Sequence, residues 1–394
     1  MSSSARAIAL TLVVLGACRD TSTPTQPLVP APSSAAAAVI TGQYIVVFRP
    51  VVAHPAALAR SLGTGPNRTL LHTYTAGLKG FAARLSEAAV VELRHHPLVA
   101  YVEPDRVMHV ATTQPMDANG DPWGLDRIDQ RALPLDGTYT YTSTGAGVHV
   151  YMIDTGIWTP HPEFGGRADM VYDVDAGPLG LPGEDCNGHG TMTAGVVGAA
   201  TYGVAKGVFL HGVRVYRTCG GSAYTSDVIA GLDWVTANHL SPAVANLSIS
   251  GDTSSALTTA VHSLWSAGVF LAATAANHNS DACLEAAGAS GAFTVAASTS
   301  SDAKADFSNW GACVSVYAPG VNIKSTWLAG RTNTMSGTSF AAPHVTGVAA
   351  LYKATHGDAP SDSVAQWITT QATPGVITGN PPGTPNLLLY KSTF

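Results

Sequence analysis

The chain has 394 residues, of which 46% are apolar and only 12% are charged, against about 25% charged in an average globular protein. This composition excludes long disordered regions driven by charge. The formal net charge of −6 argues against nucleic acid as a partner. At roughly 150 residues per domain, the length corresponds to two or three domains.

Residues 1–18 have the pattern of an export signal. Arg6 precedes an apolar run from Ala7 to Leu15 that is too short to span a bilayer. The run ends in Leu15-Gly16-Ala17-Cys18, which resembles the lipobox of bacterial lipoproteins, where the cysteine is acylated. Ordinary cleavage after a small residue is the alternative. Both interpretations predict a secreted protein, one of them through a lipoprotein precursor. Residues 19–41, rich in Thr, Pro, Ala and Ser, are expected to form a flexible linker.

Residues 42–108 are predicted to form a small α+β domain. The order of its expected elements is β-α-β-β-α-β, that of a ferredoxin-like split. A domain of this size is only marginally stable alone, and the stretch 108–122 after it is the expected place for a proteolytic cut. Strands are expected at Gln43–Phe48, Leu70–Thr75, Gly80–Leu85 and Val99–Val102, and helices at Pro55–Leu62 and from the cap residue Ser86 to His95.

Residues 112–394 alternate between strands and helices. This alternation predicts an α/β domain with a mostly parallel sheet covered by helices on both faces, and functional groups at the carboxyl ends of the strands. Strands are expected at Val148–Ile153, Phe209–Val215, Val244–Ile249, Val269–Ala273, Phe293–Ala297 and Val314–Tyr317, and helices from Ser226, from Ser254 or Ser255, at Phe340–Lys353 and from Ser361.

Three short segments carry residue types that suit nucleophilic catalysis. Asp154 ends the first strand of this domain, where an Asp is more often a turn former, and His189 lies between two glycines, although a lone His is usually structural. Ser339 lies in Gly337-Thr338-Ser339-Phe340-Ala341-Ala342-Pro343-His344, at the start of a helix of small residues. The helix dipole there favours developing negative charge, and Pro343 is expected in the first turn.

Together the three segments resemble the subtilisin-like serine proteases (subtilases), in particular the proteinase K group, and they follow the chain order Asp, His, Ser of that family. Trp123–Gln130 resembles the start of the mature enzymes, and the small domain resembles their inhibitory propeptide. The resemblance implies that Asp154, His189 and Ser339 form a catalytic triad that needs no cofactor. It further implies a secreted serine endopeptidase, made as an autoprocessed precursor, that binds extended polypeptide substrates by strand pairing.

The resemblance also implies further site residues. The family segment that usually ends Ala-Ala-Gly-Asn is matched by Thr274-Ala275-Ala276-Asn277, which makes the Asn277 amide an oxyanion donor beside the Ser339 N–H; a turn residue is the alternative. The substrate side chain is expected beside Ala275 and Ala276 and beside the segment Ser248-Ile249-Ser250.

Several of these positions depart from the family pattern. Ala276 and Ser250 each stand where the family usually has glycine, and Met192 stands where it usually has a second histidine. The added atoms of Ala276 and Ser250 are expected to narrow the substrate pocket.

The cysteines outside the signal are at 186, 219, 283 and 313, and they allow three connectivities. The neighbouring pairs Cys186–Cys219 and Cys283–Cys313 would each close a loop of about thirty residues, and export makes oxidation the expected state. Free buried thiols are the alternative. The close Cys-x-x-Cys spacing of zinc sites is absent.

Structural calcium is one further expectation from the resemblance. Asp126, Asp129, Gln130 and Asp136 match a calcium loop of some bacterial relatives, and clustered oxygen atoms suit a hard cation. The alternative is that they are caps and surface charges. Ser315 stands where proteinase K-like enzymes often place an Asp ligand, so no ion is expected there.

Two rival functions have weaker support in the sequence. A catalytically impaired, subtilase-like surface binding protein fits the departures, but the complete set Asp154, His189, Ser339 and Asn277 argues against it. A serine esterase of the α/β-hydrolase type would need a Gly-x-Ser-x-Gly elbow and the order Ser, Asp, His, and the sequence has neither. We expect a monomer, inhibited within the precursor by its own propeptide.

Overall fold

The computed structural model describes residues 39–75, 79–106, 112–176, 183–220 and 223–394. The predicted export signal with Cys18, and most of the predicted linker 19–41, lie outside the described residues. Within the described ranges, no helix combines the length and the apolar character that crossing a bilayer requires.

The small domain has the predicted ferredoxin-like topology, with an antiparallel sheet in the order β2-β3-β1-β4. Its core contains Val46, Phe81 and Leu93, which are fully buried. The Ser86 hydroxyl caps the second helix, as predicted, by accepting the Ala89 N–H at 3.3 Å. The elements are β1 (Val39–Phe48), α1 (Pro55–Gly63), β2 (Arg68–Tyr74), β3 (Gly80–Leu85), α2 (Glu87–Arg94) and β4 (Val99–Arg106).

The large domain contains the predicted α/β sheet together with elements that the sequence did not indicate. Its strands are β5 (Thr112–Pro115), β6 (Thr138–Tyr141), β7 (His149–Asp154), β8 (Ala168–Asp173), β9 (Phe209–Arg214), β10 (Ala243–Leu247), β11 (Phe270–Thr274), β12 (Phe293–Ser298), β13 (Val316–Pro319), β14 (Ile323–Trp327), β15 (Arg331–Met335), β16 (Thr373–Pro374) and β17 (Leu387–Leu388). Its helices are α3 (Trp123–Asp129), α4 (His189–Gly198), α5 (Thr225–Asn238), α6 (Ser255–Ser266), α7 (Ala286–Ala289), α8 (Thr338–His356) and α9 (Ser361–Gln371).

The main sheet runs in the order β16-β17-β13-β12-β11-β10-β7-β9-β8. All its described pairings are parallel except that between β16 and β17. Two antiparallel pairs, β5 with β6 and β14 with β15, lie outside this sheet.

Alternate residues of the central strand β7 enter different cores, as the two-residue period of a strand requires. Val150 and Met152 pack in a cluster with the buried face of α8, whereas Tyr151 and Ile153 pack with side chains of α5 and α6. The strand is therefore buried on both faces, and the prediction of helices on both faces is confirmed.

The prediction for the start of α8 was wrong by two residues. The helix begins at Thr338 rather than Phe340, so Pro343 lies in its second turn and not in its first. Proline has no N–H, and at this position it leaves the carbonyl of Ser339 without its intrahelical donor. The hydroxyl of Ser248 donates to that carbonyl at 2.9 Å instead, so the interruption ties the start of α8 to the end of β10.

Candidate active site

The predicted catalytic residues lie at one edge of the main sheet. Asp154 is the last residue of β7, and Asn277 follows the end of β11. Strands β7, β10 and β11 are parallel neighbours, so their carboxyl ends share an edge. The start of α8 carries Ser339 and lies against that edge through its contact with Ser248, which follows β10.

Asp154 and His189 form a hydrogen-bonded pair with a defined proton position. The Asp154 side chain is fully buried, and its Oδ1 lies 2.7 Å from Nδ1 of His189. The same carboxylate accepts the Thr155 N–H at 2.7 Å and the Thr193 hydroxyl at 3.4 Å. Because the ionised carboxylate can only accept, the Nδ1 atom carries the proton. The Nε2 atom of His189 is then left with a lone pair that can accept a proton.

A second buried carboxylate, Asp185, holds the turn that presents His189. It accepts the Gly188 N–H at 3.0 Å, the Thr191 N–H at 3.0 Å and the Thr191 hydroxyl at 2.6 Å. It also accepts the hydroxyl of Thr155, the residue that follows Asp154, at 3.0 Å. Sequence reasoning missed this residue, although an Asp four positions before a His between glycines was a usable signal of a side-chain-capped turn.

Both predicted disulfides are present, Cys186–Cys219 and Cys283–Cys313. The first borders the imidazole. Asn187 donates from Nδ2 to the Cys219 carbonyl at 2.6 Å, and its Oδ1 accepts the N–H of His189 at 3.1 Å. The crosslink therefore restrains the loop from which α4 and His189 begin.

The environment of His189 raises the pKa of its imidazole above the ordinary 6.5. Burial alone lowers this pKa, because it disfavours the charged ring. The charge of Asp154, the hydrogen bond to Asp154 and the charge of Asp185 outweigh the burial. The arrangement therefore stabilises an imidazolium, which is the state a general base reaches after it accepts a proton.

The Ser339 hydroxyl points to the residue that follows β10. It donates to the Ser248 carbonyl at 3.3 Å, and within the described residues it makes no hydrogen bond to His189. The ring of Phe340, the next residue, lies 5.5 Å from the imidazole, centroid to centroid. Hydrogen bonds between nucleophile and base are often long without substrate and shorten when substrate binds.

The Asn277 side chain is anchored by its carbonyl end. Its Oδ1 accepts the N–H of Thr338 at 2.9 Å and the hydroxyl of Thr338 at 2.8 Å. Its NH₂ group is therefore directed away from Thr338, and a Cβ placed on Gly337 would lie 3.5 Å from Nδ2. Asn277 is exposed, so the NH₂ group is open to a ligand. The residue before it, Ala276, is buried and has φ 77°, a left-handed conformation that favours glycine.

Of the predicted substrate-contacting residues, Ser248 is bonded to Ser339, and the other four separate into two groups. Ile249 and Ser250 line a cavity of about 70 Å³. Ala275 and Ala276 are buried and do not line this cavity, and the Ala275 side chain packs in a core cluster. Met192 is likewise fully buried in a core cluster. The other cavity-lining residues are Ala223, Thr225, Val228, Leu247, Gly251, Asp252, Leu257, Ala286 and Ala287.

The carboxylates predicted to bind calcium accept hydrogen bonds from backbone N–H groups of the segment that follows α3. Among the described residues, no set of three or more His, Cys, Asp or Glu side chains is arranged to hold a metal ion. Asp126 accepts the N–H of Gly137 at 2.8 Å, and Asp129 accepts the N–H of Thr140 at 2.6 Å. One oxygen of this loop, Oδ1 of Asp129, is buried and has no hydrogen-bond partner in the part of the chain that the structure describes.

Comparisons with known proteins identify the family of the chain. The family model described as "Subtilase family" matches residues 145–387, and the model described as "Peptidase inhibitor I9" matches residues 43–111. The extracellular serine proteinase of Thermus sp. (strain Rt41A) is 45% identical, over 97% of each chain. The alkaline serine exoprotease A of Vibrio alginolyticus is 48% identical, over 80% of this chain and 59% of its own.

A solved structure shows the same fold. The crystal structure of a cold-adapted subtilisin-like serine proteinase superposes with a TM-score of 0.66 and 46% identity, covering 68% of this chain and 97% of that one. The match of the family model spans more than half of the chain. The chain therefore belongs to the subtilase family of serine endopeptidases and carries an I9-type inhibitor propeptide before its peptidase domain.

Proposed function

We propose that Asp154, His189 and Ser339 are the catalytic triad with which this secreted endopeptidase hydrolyses polypeptides, and that Asn277 is its oxyanion donor. The observation that carries the proposal is the 2.7 Å bond between Asp154 Oδ1 and His189 Nδ1. Because Nδ1 carries the proton in this bond, Nε2 of His189 can accept one. The imidazole lies beside the first turn of α8, the helix that carries Ser339.

In the first half of the reaction, Ser339 Oγ attacks the substrate carbonyl carbon while its proton passes to Nε2 of His189. The electron pair of the carbonyl moves to its oxygen, where the Asn277 NH₂ group and the Ser339 N–H donate to it. Collapse of this intermediate breaks the C–N bond, and the imidazolium gives its proton to the departing amine. In the second half, His189 takes a proton from water as the water oxygen attacks the acyl ester. Collapse of this second intermediate breaks the ester C–O bond and releases the carboxylic acid, and the imidazolium returns its proton to Ser339 Oγ.

Replacing the nucleophile tests this proposal. The variant Ser339→Ala should not hydrolyse casein and should remain a full-length precursor, because removal of the propeptide is expected to be autocatalytic. Intact-mass measurement of the purified protein, made in a host lacking other subtilases, gives the readout. Normal maturation of this variant would contradict the proposal.

We also propose that maturation cuts the chain between Arg106 and Thr112. Strand β4 ends at Arg106 and belongs to the sheet of the small domain, whereas β5 begins at Thr112 and pairs with β6 of the large domain. A cut between them separates residues 42–108 from 112–394 without breaking either pairing. N-terminal sequencing of the mature enzyme tests this assignment: a start outside residues 107–112 would contradict it.

We propose that the substrate preference favours Ala or Leu over Phe or Tyr before the cut bond. Ser250 adds a Cβ and a hydroxyl at the wall of a small cavity where family members usually have glycine. One misplaced group in such a pocket changes discrimination by about 1–3 kcal/mol. A peptide library scored by kcat/KM should show the preference, and Ser250→Gly should shift it toward Phe; an aromatic preference in the wild type would contradict it.

We propose that Asp126, Asp129 and Asp136 bind a structural calcium ion. The unpartnered, buried Oδ1 of Asp129 supports this site, since a cation would satisfy it. Chelator should then lower the melting temperature of the wild type and have little further effect on a variant with Asp126→Ala and Asp129→Ala. Equal destabilisation of both would place the ion elsewhere.

We propose that Cys18, which lies outside the described residues, is acylated in a lipoprotein precursor. Metabolic labelling with palmitate should mark the precursor of the Ser339→Ala variant. Adding Cys18→Ser should abolish the label. An unlabelled precursor in both would favour ordinary cleavage of the signal.

A further inference from the structure

Two buried hydroxyl groups lie in contact behind the exposed Asn277 side chain. Thr274 is the last residue of β11, and Thr338 is the first residue of α8. Their side chains are almost fully buried, and the two Oγ1 atoms are 2.5 Å apart. The pair therefore links the strand that precedes Asn277 to the helix that carries Ser339.

The protons of this pair have one consistent direction. The Thr338 N–H can only donate, so the Asn277 atom that accepts it at 2.9 Å is the carbonyl oxygen Oδ1. The Thr338 hydroxyl lies 2.8 Å from the same oxygen and donates its single proton there. The contact with Thr274 must then use the proton of Thr274. The Thr274 oxygen also accepts a hydrogen bond from the Ala276 N–H, at 3.4 Å.

This direction fixes the orientation of the amide. A flip of Asn277 would turn its NH₂ group toward the Thr338 N–H and leave two donors facing each other. A hydroxyl chain in a buried site also polarises each of its members, which strengthens the bond to Oδ1. An exposed asparagine, which otherwise rotates freely, is thereby held with its NH₂ group toward the substrate.

Thr274 is a feature of this chain, because the family segment quoted above has alanine at that position. The same segment carries Ala276 in a left-handed conformation where the family has glycine. Both departures lie within one hydrogen-bonded turn, and the Ala276 N–H contacts the Thr274 oxygen.

We propose that Thr274 is a positioning residue for the oxyanion step: its hydroxyl, through Thr338, sets the orientation of the Asn277 amide. Thr274 does not touch the substrate. The inference rests on the proposed role of Asn277 as the oxyanion donor, and it predicts a loss of kcat with little change in KM, because the amide acts on charge that exists only in the transition state.

The first experiment replaces the hydroxyl and keeps the shape. Thr274→Val should lower kcat about tenfold, as the loss of one well-placed hydrogen bond does, and Thr274→Ser should restore kcat to within about twofold. The matched control is Thr294→Val on the neighbouring strand β12; its kcat should not change. Among the described residues, the fully buried Thr294 hydroxyl bonds only the Ala292 carbonyl, at 3.2 Å. Thr274→Ala, the residue of relatives, replaces the valine variant if that variant does not fold.

The second experiment places Thr274→Val in the background of Asn277→Ala. If the hydroxyl acts through the amide, the substitution should change kcat by less than about twofold there. Three outcomes would each overturn the proposal. They are an equal loss of kcat in both backgrounds, a wild-type kcat for both Thr274→Val and Thr274→Ala, and a loss of kcat that Thr274→Ser does not restore. Asn277→Ala alone tests the role of the donor: an unchanged kcat for it would remove the proposed function of Asn277 and this inference with it. Mass spectrometry checks that every variant has the same mature N-terminus.

Discussion

The candidate active site has two sides, which hold their side chains through different kinds of contact. On the imidazole side, formed by Asp154, Asp185 and His189, two buried carboxylates accept hydrogen bonds from the turn around the base, and a disulfide borders it. On the amide side, formed by the segment 274–277 with Thr338, the uncharged Thr338 hydroxyl donates to Asn277 and contacts the Thr274 hydroxyl, and Ala276 has a left-handed backbone conformation.

The imidazole side therefore bears on the charge of the base, and the amide side bears on the orientation of a hydrogen-bond donor. The imidazole side contains fixed negative charge in a buried environment, so changes there alter the protonation of the base as well as its position. The amide side carries no formal charge, and changes there alter only where a hydrogen-bond donor points. Perturbing the imidazole side should therefore change rate and pH dependence together, whereas perturbing the amide side should change the rate alone.

The largest effect is expected for Asp154→Asn. The neutral amide can donate to Nδ1, which favours the wrong imidazole tautomer, and kcat should fall on the order of 10⁴. Steady-state kinetics on a peptide substrate measure it, and circular dichroism confirms the fold. A loss smaller than about tenfold would show that Asp154 does not set the tautomer.

On the amide side, Asn277→Ala should lower kcat on the order of 10²–10³ with KM nearly unchanged, a magnitude known for a related subtilisin. The pH at which activity is half-maximal should stay that of the wild type, because no charge is removed. A shifted pH profile would mean that the two sides are coupled, and the comparison would fail.

The pH profile tests the imidazole side. The base must be neutral to accept a proton, so kcat/KM should fall as the pH drops through the pKa of His189, which Asp154 and Asp185 hold above 6.5 against the effect of burial. Asp185→Asn removes one of the charges that raise this pKa, so the acid limb should move to lower pH. An acid limb that moves to higher pH, or does not move, would exclude Asp185 from the electrostatics of the base.

The smallest effect is expected for Ala276→Gly, measured as stability in the inactive Ser339→Ala background to prevent self-digestion. Glycine relieves a left-handed conformation that costs an alanine about 1–2 kcal/mol, while it adds entropy to the unfolded chain. Urea unfolding should show a gain of up to about 1 kcal/mol. The matched control Ala275→Gly, at a position without positive φ, should instead destabilise; a loss for both would contradict strain at Ala276.

The sequence predicts those parts of the site in which a short motif follows a buried strand. The run Val148–Ile153 has enough apolar residues to identify a strand, and Asp154 at its end falls at the edge where α/β sheets place functional groups. The two disulfides join cysteines that are neighbours in the sequence, the pairing expected for an exported chain, although the cysteines alone allow three connectivities. These features are local, so they do not depend on which elements pack together.

The sequence does not predict the helix α4, which presents His189. Every residue of this helix from Gly190 to Gly198 is buried, so it has no polar face and no 3.6-residue pattern. Its glycines exist for close packing: a Cβ on Gly190 would lie 2.1 Å from the Gly156 carbonyl oxygen. Only the tertiary structure reveals that requirement.

The start of α8 was misjudged for a related reason. A proline normally indicates the first turn of a helix, but Pro343 is tolerated one turn later because Ser248 satisfies the carbonyl that the missing N–H leaves free. The donor comes from a residue 91 positions earlier in the chain. A local pattern contains no information about such a partner.

Covalent labelling of the mature enzyme with an aryl sulfonyl fluoride tests the central claim most directly. Activated by His189, Ser339 should displace fluoride, and peptide mass spectrometry should find one adduct, on the peptide that contains Ser339, in parallel with loss of activity. The rate of labelling should follow the same acid limb as kcat/KM, and His189→Ala should prevent labelling. An adduct on another residue, or inactivation without modification of Ser339, would contradict the account.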